Sequence, residues 1–483
     1  MNYILFGHAV PKCSNFLLRL LHTKEFTTMG NEKEELLPVS PISSGYLFPE
    51  IDQIMFCSLG LAYPIDIDAV KSAFSNSVLV KHPRFSSLAI KDQRGRDCWK
   101  KFPSIDMDDH TIVHHHGAAV TTAQEKEDAV NAYIADIAVS TPLRRDKPLW
   151  DLHLLIGLDC LVLRVHHSTG DGESLMSLLS LCFGTKSVDG DGAKENVHDR
   201  KRASRDRGLW SWIKSLCFTL VFSVQFIGRL LWVKDKKTVI SGGDGVELWP
   251  RKVVTAKFKV KDMKAVKQEV PDATINDVLL GAVSCGLSEY LNLKSPKDML
   301  DNIQLTCPCM VNMRKASVLQ EDILDMSKGS AFSGWGNKIS FVMVPFMYQN
   351  GLHPLQHLRR IKAIMDRKKK SFESRIIYNF VRLHSVIALL GSQVPVWLLR
   401  RYILNTSFVI SNIIGPREEI AIAGNPVTYI RITVSSLPYA IVMHMVSYAG
   451  RGDLQLIVAK DIVDDPEFLA KSFEVALSKM GPT

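Results

Sequence analysis

Several catalytic signatures are missing from this 483-residue chain. There is no G-x-x-x-x-G-K-[ST] loop, no HExxH pair and no G-x-S-x-G elbow, which argues against an NTPase, a zincin and a serine esterase. Cysteine is sparse: nine are scattered along the chain, at 13, 57, 98, 160, 182, 217, 285, 307 and 309. An odd count with several members inside apolar runs reads as reduced thiols in a cytosolic setting. Cys307 and Cys309 form C-x-C, and no second pair completes a zinc site, so no metal is expected there. RNA-binding aromatic motifs, zinc-finger spacing and long basic runs with interleaved aromatics are also lacking. The net charge of +9 therefore does not point to nucleic acid. It remains compatible with an anionic membrane surface or acidic small molecules.

What is present is ample apolar material, 46% of residues, enough for a core and for two or more domains. Residues 1–30 read as an extension or transit-like leader. Residues 31–185 and 247–483 both alternate strand-like and helix-like runs. Residues 186–208 are polar, charged and Gly-containing, as in a linker. Directly after them, residues 209–233 form an apolar stretch near bilayer-spanning length. On a helical wheel its Lys214, Gln225 and Arg229 share one narrow face. That favours a helix lying in a membrane interface with Trp210, Trp212 and Trp232 at headgroup level, against the alternative of a buried bridging helix. The layout predicts an α/β (α+β) enzyme of two domains with its site at their interface.

The stretch LVLRVHHSTGDGESLMSLLSLC, 161–182, holds the most pointed chemistry. LVLRV reads as a buried strand, and ESLMSLLSLC as a core-facing helix. Adjacent residues at a strand end point oppositely, so only one of His166 and His167 can face a given cleft. Asp171 sits where a helix N-terminus favours a carboxylate, and Gly172 relieves the backbone beside it. Arg164 is the expected partner of Asp171. By composition H-x-x-x-D-G should arise by chance about 0.05 times in such a chain, and its strand–turn–helix context adds weight. The competing reading is a structural histidine beside an ordinary cap.

HHSTGDG resembles the HHxxxDG motif of the CoA-dependent acyltransferase superfamily, which includes chloramphenicol acetyltransferase, plant BAHD acyltransferases and peptide-synthetase condensation domains. PLWDLHLL (148–155), TINDVLLGAV (274–283), GVELWPRKVVTAKF (245–258), MVNMR (310–314), WGNKISFVMVPF (335–346) and SNIIGP (411–416) resemble, in order, blocks of the plant wax ester synthase/diacylglycerol acyltransferase branch. The BAHD branch is disfavoured, because its DFGWG block is absent. The resemblance covers roughly residues 34–480. It departs in a short IGLDC segment and in MRKASVLQ, which lacks a Pro-Gly after the arginine.

The resemblance implies two chloramphenicol-acetyltransferase-like domains, each a mixed sheet flanked by helices. It implies transfer of a fatty acyl group from acyl-CoA, a co-substrate rather than a cofactor, to a long-chain alcohol or diacylglycerol. It assigns the general base to His167 and a supporting role to His166, with Asp171 and Gly172 shaping the turn. Asn276 and Asp277 match its ND motif, and either help to build the site or cap a helix. Pro148, Leu149 and Trp150 fall to wall or packing. The endoplasmic reticulum membrane, or else the plasma membrane, is the expected location, with the catalytic part cytosolic. Rival readings are another hydroxylated acceptor and a silent lipid-binding homologue. The Asp/His-rich stretch 105–119 is expected to be a solvated loop. The basic run Arg367 to Lys370 is expected to be a solvated helix face, with a CoA phosphate or headgroup contact as the alternative.

Overall fold

Two six-stranded mixed sheets carry the molecule, and their strands are long apolar runs. The computed structural model describes residues 36–117, 120, 122–184, 209–243, 245–295, 303–314, 335–389, 394–435 and 437–481. The expected leader (1–30), the 186–208 linker and the 315–320 part of MRKASVLQ lie outside the described residues.

In chain order the first half contributes strand β1 (Leu36–Pro38), helix α1 (Pro41–Gly45), β2 (Ile54–Leu61), α2 (Ile67–Asn76), β3 (Ser87–Lys91), β4 (Asp97–Lys101), β5 (Thr111–His115), α3 (Ala123–Ser140), β6 (Trp150–Ile156), β7 (Cys160–His166) and α4 (Gly172–Phe183). Every residue of β2 and β7 is buried, as expected of strands covered on both faces. LWDLHLLIGLDCLVLRV (149–165), two apolar runs around a Gly-Leu-Asp turn, predicts a hairpin, and β6 and β7 pair antiparallel around Gly157 and Asp159, both at positive φ. The pattern of DIDAVKSAFSNSVLVKHP (66–83) predicts a single helix, but the structure breaks it at Ser77. That side chain bonds the Phe74 carbonyl and accepts from the Leu79 N–H, ending one helix and capping the next.

The second half adds α5 (Leu209–Leu231), β8 (Arg251–Lys259), α6 (Val260–Gln268), α7 (Ile275–Lys294), β9 (Gln304–Asn312), β10 (Ile339–Met347), α8 (Pro354–Lys370), α9 (Glu373–Leu389), α10 (Val394–Leu404), β11 (Val409–Ile414), β12 (Ala421–Ile422), β13 (Asn425–Val434), β14 (Ile441–Tyr448), β15 (Arg451–Ala459) and α11 (Pro466–Met480). Its sheet runs β10-β9-β11-β14-β15-β8. The other sheet runs β12-β13-β2-β7-β6-β5, so β13 returns from the second half to pair antiparallel with β2. The first core consequently includes Val409, Ile413, Val442 and Val446 beside Leu161, Leu163 and Leu178.

Two arginines depart from expectation because their partners lie outside their own strand or helix. Arg164 does not reach Asp171. It lies opposite Asp151 on the neighbouring strand and grips it with two bonds of 2.7 and 2.6 Å. Arg229 is not on the water side of α5. It is buried, paired with Asp235 at 2.8 Å and bonded to the Asn405 carbonyl. An uncompensated guanidinium would be costly at that depth, and these partners remove the cost. The basic run is not wholly solvated either: Lys368 is buried against Glu373 at 2.9 Å, with its ammonium over the Phe222 ring.

Candidate functional site

His166 closes β7, and the turn that follows delivers His167 to the space between the sheets. The two rings diverge as strand geometry requires. His166 is fully buried away from the cavity. Its Nε2 bonds Asp52 at 2.6 Å, and its Nδ1 accepts from the Ser168 backbone N–H. Burial pushes its pKa down. It braces the turn.

His167 faces a cavity of about 240 Å³. Its tautomer can be read from one neighbour. The Asn337 amide nitrogen donates to the His167 carbonyl (2.7 Å) and to Ser43 Oγ (3.0 Å). The amide oxygen is therefore the atom 3.1 Å from His167 Nδ1, and Nδ1 must carry the proton. Nε2 is left with its lone pair. Tyr46 stacks on the ring at 4.2 Å with an interplanar angle of 16°, fixing its plane. Burial holds the imidazole pKa below its ordinary value, with the nearby Asp171 carboxylate opposing that shift. A neutral, oriented imidazole with a free nitrogen is the arrangement a general base needs.

Asp171 ties the turn to the second half. One carboxyl oxygen caps α4 by accepting the Ser174 N–H (3.0 Å). The other takes Arg314 Nη1 (2.8 Å) and the Lys338 N–H (2.9 Å). Both members of the ion pair are buried. At Gly172 a Cβ would lie 2.6 Å from the Ile413 Cδ1 methyl, so a larger residue there would have to displace that side chain. The cavity has a polar end at His167, Asn312, Ser411, Asn412 and His444. Its apolar end lies against Phe226, Leu230, Phe341, Phe380 and Tyr402, under α5, α9 and α10.

Residues 62–279 match the model of the wax ester synthase/diacylglycerol acyltransferase catalytic domain, and residues 335–481 match that of the WS/DGAT C-terminal domain. Wax ester synthase/diacylglycerol acyltransferase 3 of Arabidopsis thaliana is 31% identical, over 92% of this chain and 94% of its own. The chain belongs to the wax ester synthase/diacylglycerol acyltransferase family. A second Arabidopsis thaliana relative in this family, number 6, is 30% identical over 93% of this chain and 94% of its own. In solved structures, the wax ester synthase/diacylglycerol acyltransferase of Marinobacter aquaeolei superposes with a TM-score of 0.58 at 15% identity, over 92% of this chain and 98% of that one. Trichothecene 15-O-acetyltransferase of Fusarium sporotrichioides gives 0.57 at 13% identity, over 93% and 97%. The two-domain, chloramphenicol-acetyltransferase-like architecture expected from the sequence is thus the architecture found.

The remaining blocks shared with the wax ester synthase/diacylglycerol acyltransferase family divide by position. Asp277 completes a reciprocal capping box with Thr274 at the start of α7 and does not line the cavity. Asn276 reaches the cavity wall only through Asn412, at 3.5 Å. Leu149 and Trp150 are buried packing: the Trp150 indole donates to the Phe85 carbonyl and stacks on His110. Neither they nor Pro148 line the cavity. No three metal-capable side chains gather among the described residues. Arg314, Asn337, Tyr46 and His444 were not singled out by sequence. Arg314 and Asn337 fall in the MVNMR and WGNKISF blocks, the one signal that could have flagged them.

Proposed function

We propose that this chain transfers a fatty acyl group from acyl-CoA to the hydroxyl of a long-chain alcohol, with diacylglycerol as a second acceptor, and that His167 is the base. The observation that carries this is the His167 Nε2 lone pair, set by Asn337, beside a cavity whose far end is apolar. An alcohol is a poor nucleophile at neutral pH, and removing its proton as it attacks the thioester contributes roughly 10²–10⁴ in rate. The intact turn and free base nitrogen weigh against a silent lipid-binding role.

The same reading extends to a membrane surface, with the endoplasmic reticulum as its location. Helix α5 is long and apolar enough to cross a membrane by length and composition, and is only partly covered. It turns Phe226 and Leu230 toward the cavity and leaves Leu216, Leu220, Val224 and Ile227 exposed on its other side. Ile376, Leu383 and Ile387 of α9 and Trp397 of α10 are exposed as well. Lys214, Lys234, Lys236 and Lys237 flank this face and favour anionic lipid. A helix buried by one face and apolar on the other lies naturally in an interface.

One experiment covers both parts. Purified protein is mixed with labelled palmitoyl-CoA and phosphatidylserine-containing vesicles carrying hexadecanol, diacylglycerol or neither. Ester should form with hexadecanol and, more slowly, with diacylglycerol. The triple variant Leu220→Asp, Val224→Asp, Ile227→Asp should lose vesicle binding by on the order of 10²-fold. Absence of ester with either acceptor defeats the reaction; unchanged vesicle binding defeats the membrane face.

A further inference from the structure

The site holds a second imidazole. His444 lies on β14, opposite Ser411 of β11 and Gln455 of β15. Strand alternation sends Met443 and Met445 into the second core, while Val442 and Val446 join the first. His444 shares the latter face and is turned to the space between the sheets. It lines the same cavity as His167 and is only 8% exposed. Its Nδ1 is sealed off and has no hydrogen-bond partner among the described residues. A buried polar group without a partner costs free energy and calls for an explanation. Packing supplies none, since an apolar side chain would fill the position without that cost.

Burial lowers the ring's pKa to about 3, and the charge that His167 acquires on protonation adds to the effect. Two imidazoles lining one cavity disfavour each other's charged form. With Nδ1 enclosed, the ring presents a donor only through Nε2.

We propose that His444, as a neutral Nε2–H donor, stabilises the oxyanion formed when the acceptor attacks the thioester. This rests on the acyltransferase reading above. His167 Nε2 takes the hydroxyl proton as the alcohol oxygen bonds to the thioester carbon. The carbonyl π pair moves onto oxygen, which His444 binds. Collapse restores the carbonyl and breaks the carbon–sulfur bond. The thiolate then takes the proton from His167, giving ester and free CoA. A fixed donor aimed at developing charge in a water-poor cavity typically contributes about 10²–10³ in kcat.

The test compares wild type with His444→Phe, which keeps a flat ring but no donor, and His444→Gln, which restores an amide N–H. Thermal unfolding and palmitoyl-CoA binding establish that each variant folds and loads. His444→Phe should lower kcat by about 10²–10³-fold with KM for palmitoyl-CoA within a few-fold. His444→Gln should recover at least about tenfold of that loss. Retention of kcat in His444→Phe overturns the assignment, as does a Gln variant no better than Phe. A wild type that forms no ester overturns the acyltransferase reading and this assignment with it.

Discussion

Changing His167 to Ala should reduce ester formation by about 10²–10⁴-fold, the range for a positioned general base. The fold should persist at reduced stability. Asn337 keeps its bonds to the residue-167 carbonyl and to Ser43, and only its oxygen loses a partner. Leaving that buried oxygen without a donor typically costs about 1–3 kcal/mol. The pH profile adds an independent check. Burial holds the folded-state pKa of His167 below the ordinary imidazole value, so the base form dominates at neutral pH. Wild-type kcat should therefore be flat above about pH 6.5 and fall only on acidification below it. The other titratable groups of the cavity, Asp171, Glu173, His444, Tyr46, Tyr402 and Tyr439, border the same space. Burial raises the Glu173 carboxyl and the Tyr46 phenol and lowers His444. Initial rates across pH, with ester quantified directly, measure both effects. A His167→Ala enzyme at wild-type rate removes the base from the account.

Changing Arg314 to Met should be the most damaging substitution for stability near the site. The Arg314 and Asp171 side chains are 1% and 2% exposed, so the variant strands a buried carboxylate. Removing one partner of such a pair typically costs about 3–5 kcal/mol. The carboxylate also caps α4 and holds Lys338, so the turn bearing His167 should shift and activity should fall too. Adding Asp171→Asn to Arg314→Met removes the stranded charge and should recover part of the stability. Chemical denaturation of the two single variants and the double variant measures the coupling. Additive losses would show that the pair does not hold the turn.

Local chemistry made the hairpin and the histidine turn legible. Apolar runs flank Gly157 and Asp159, and Asp171 stands where a helix begins. Divergence of His166 and His167 follows from the two-residue period of a strand alone. Features set by non-local pairing could not be read this way. Arg164 meets Asp151 because β6 and β7 pair in one register, and Asp171 meets Arg314 because β9 ends beside the turn. Arg229 fits a polar stripe on a helical wheel, yet Asp235 and Asn405 turn it inward. His444 gains significance only once sheet order places β14 next to β11 and its even-numbered face toward the first core. The return of β13 to β2 likewise depends on partners more than 350 positions apart, such as Val434 and Met55.

Direct transfer from thioester to alcohol, with no acyl group resting on the protein, is the central claim. Rapid mixing of wild type with labelled palmitoyl-CoA in the absence of acceptor, followed by acid quench, tests it most directly. The account predicts no protein-bound label and no burst of free CoA, with CoA release beginning when hexadecanol is added. Label retained on the protein in near-equal amount to the enzyme, together with a CoA burst, would contradict it.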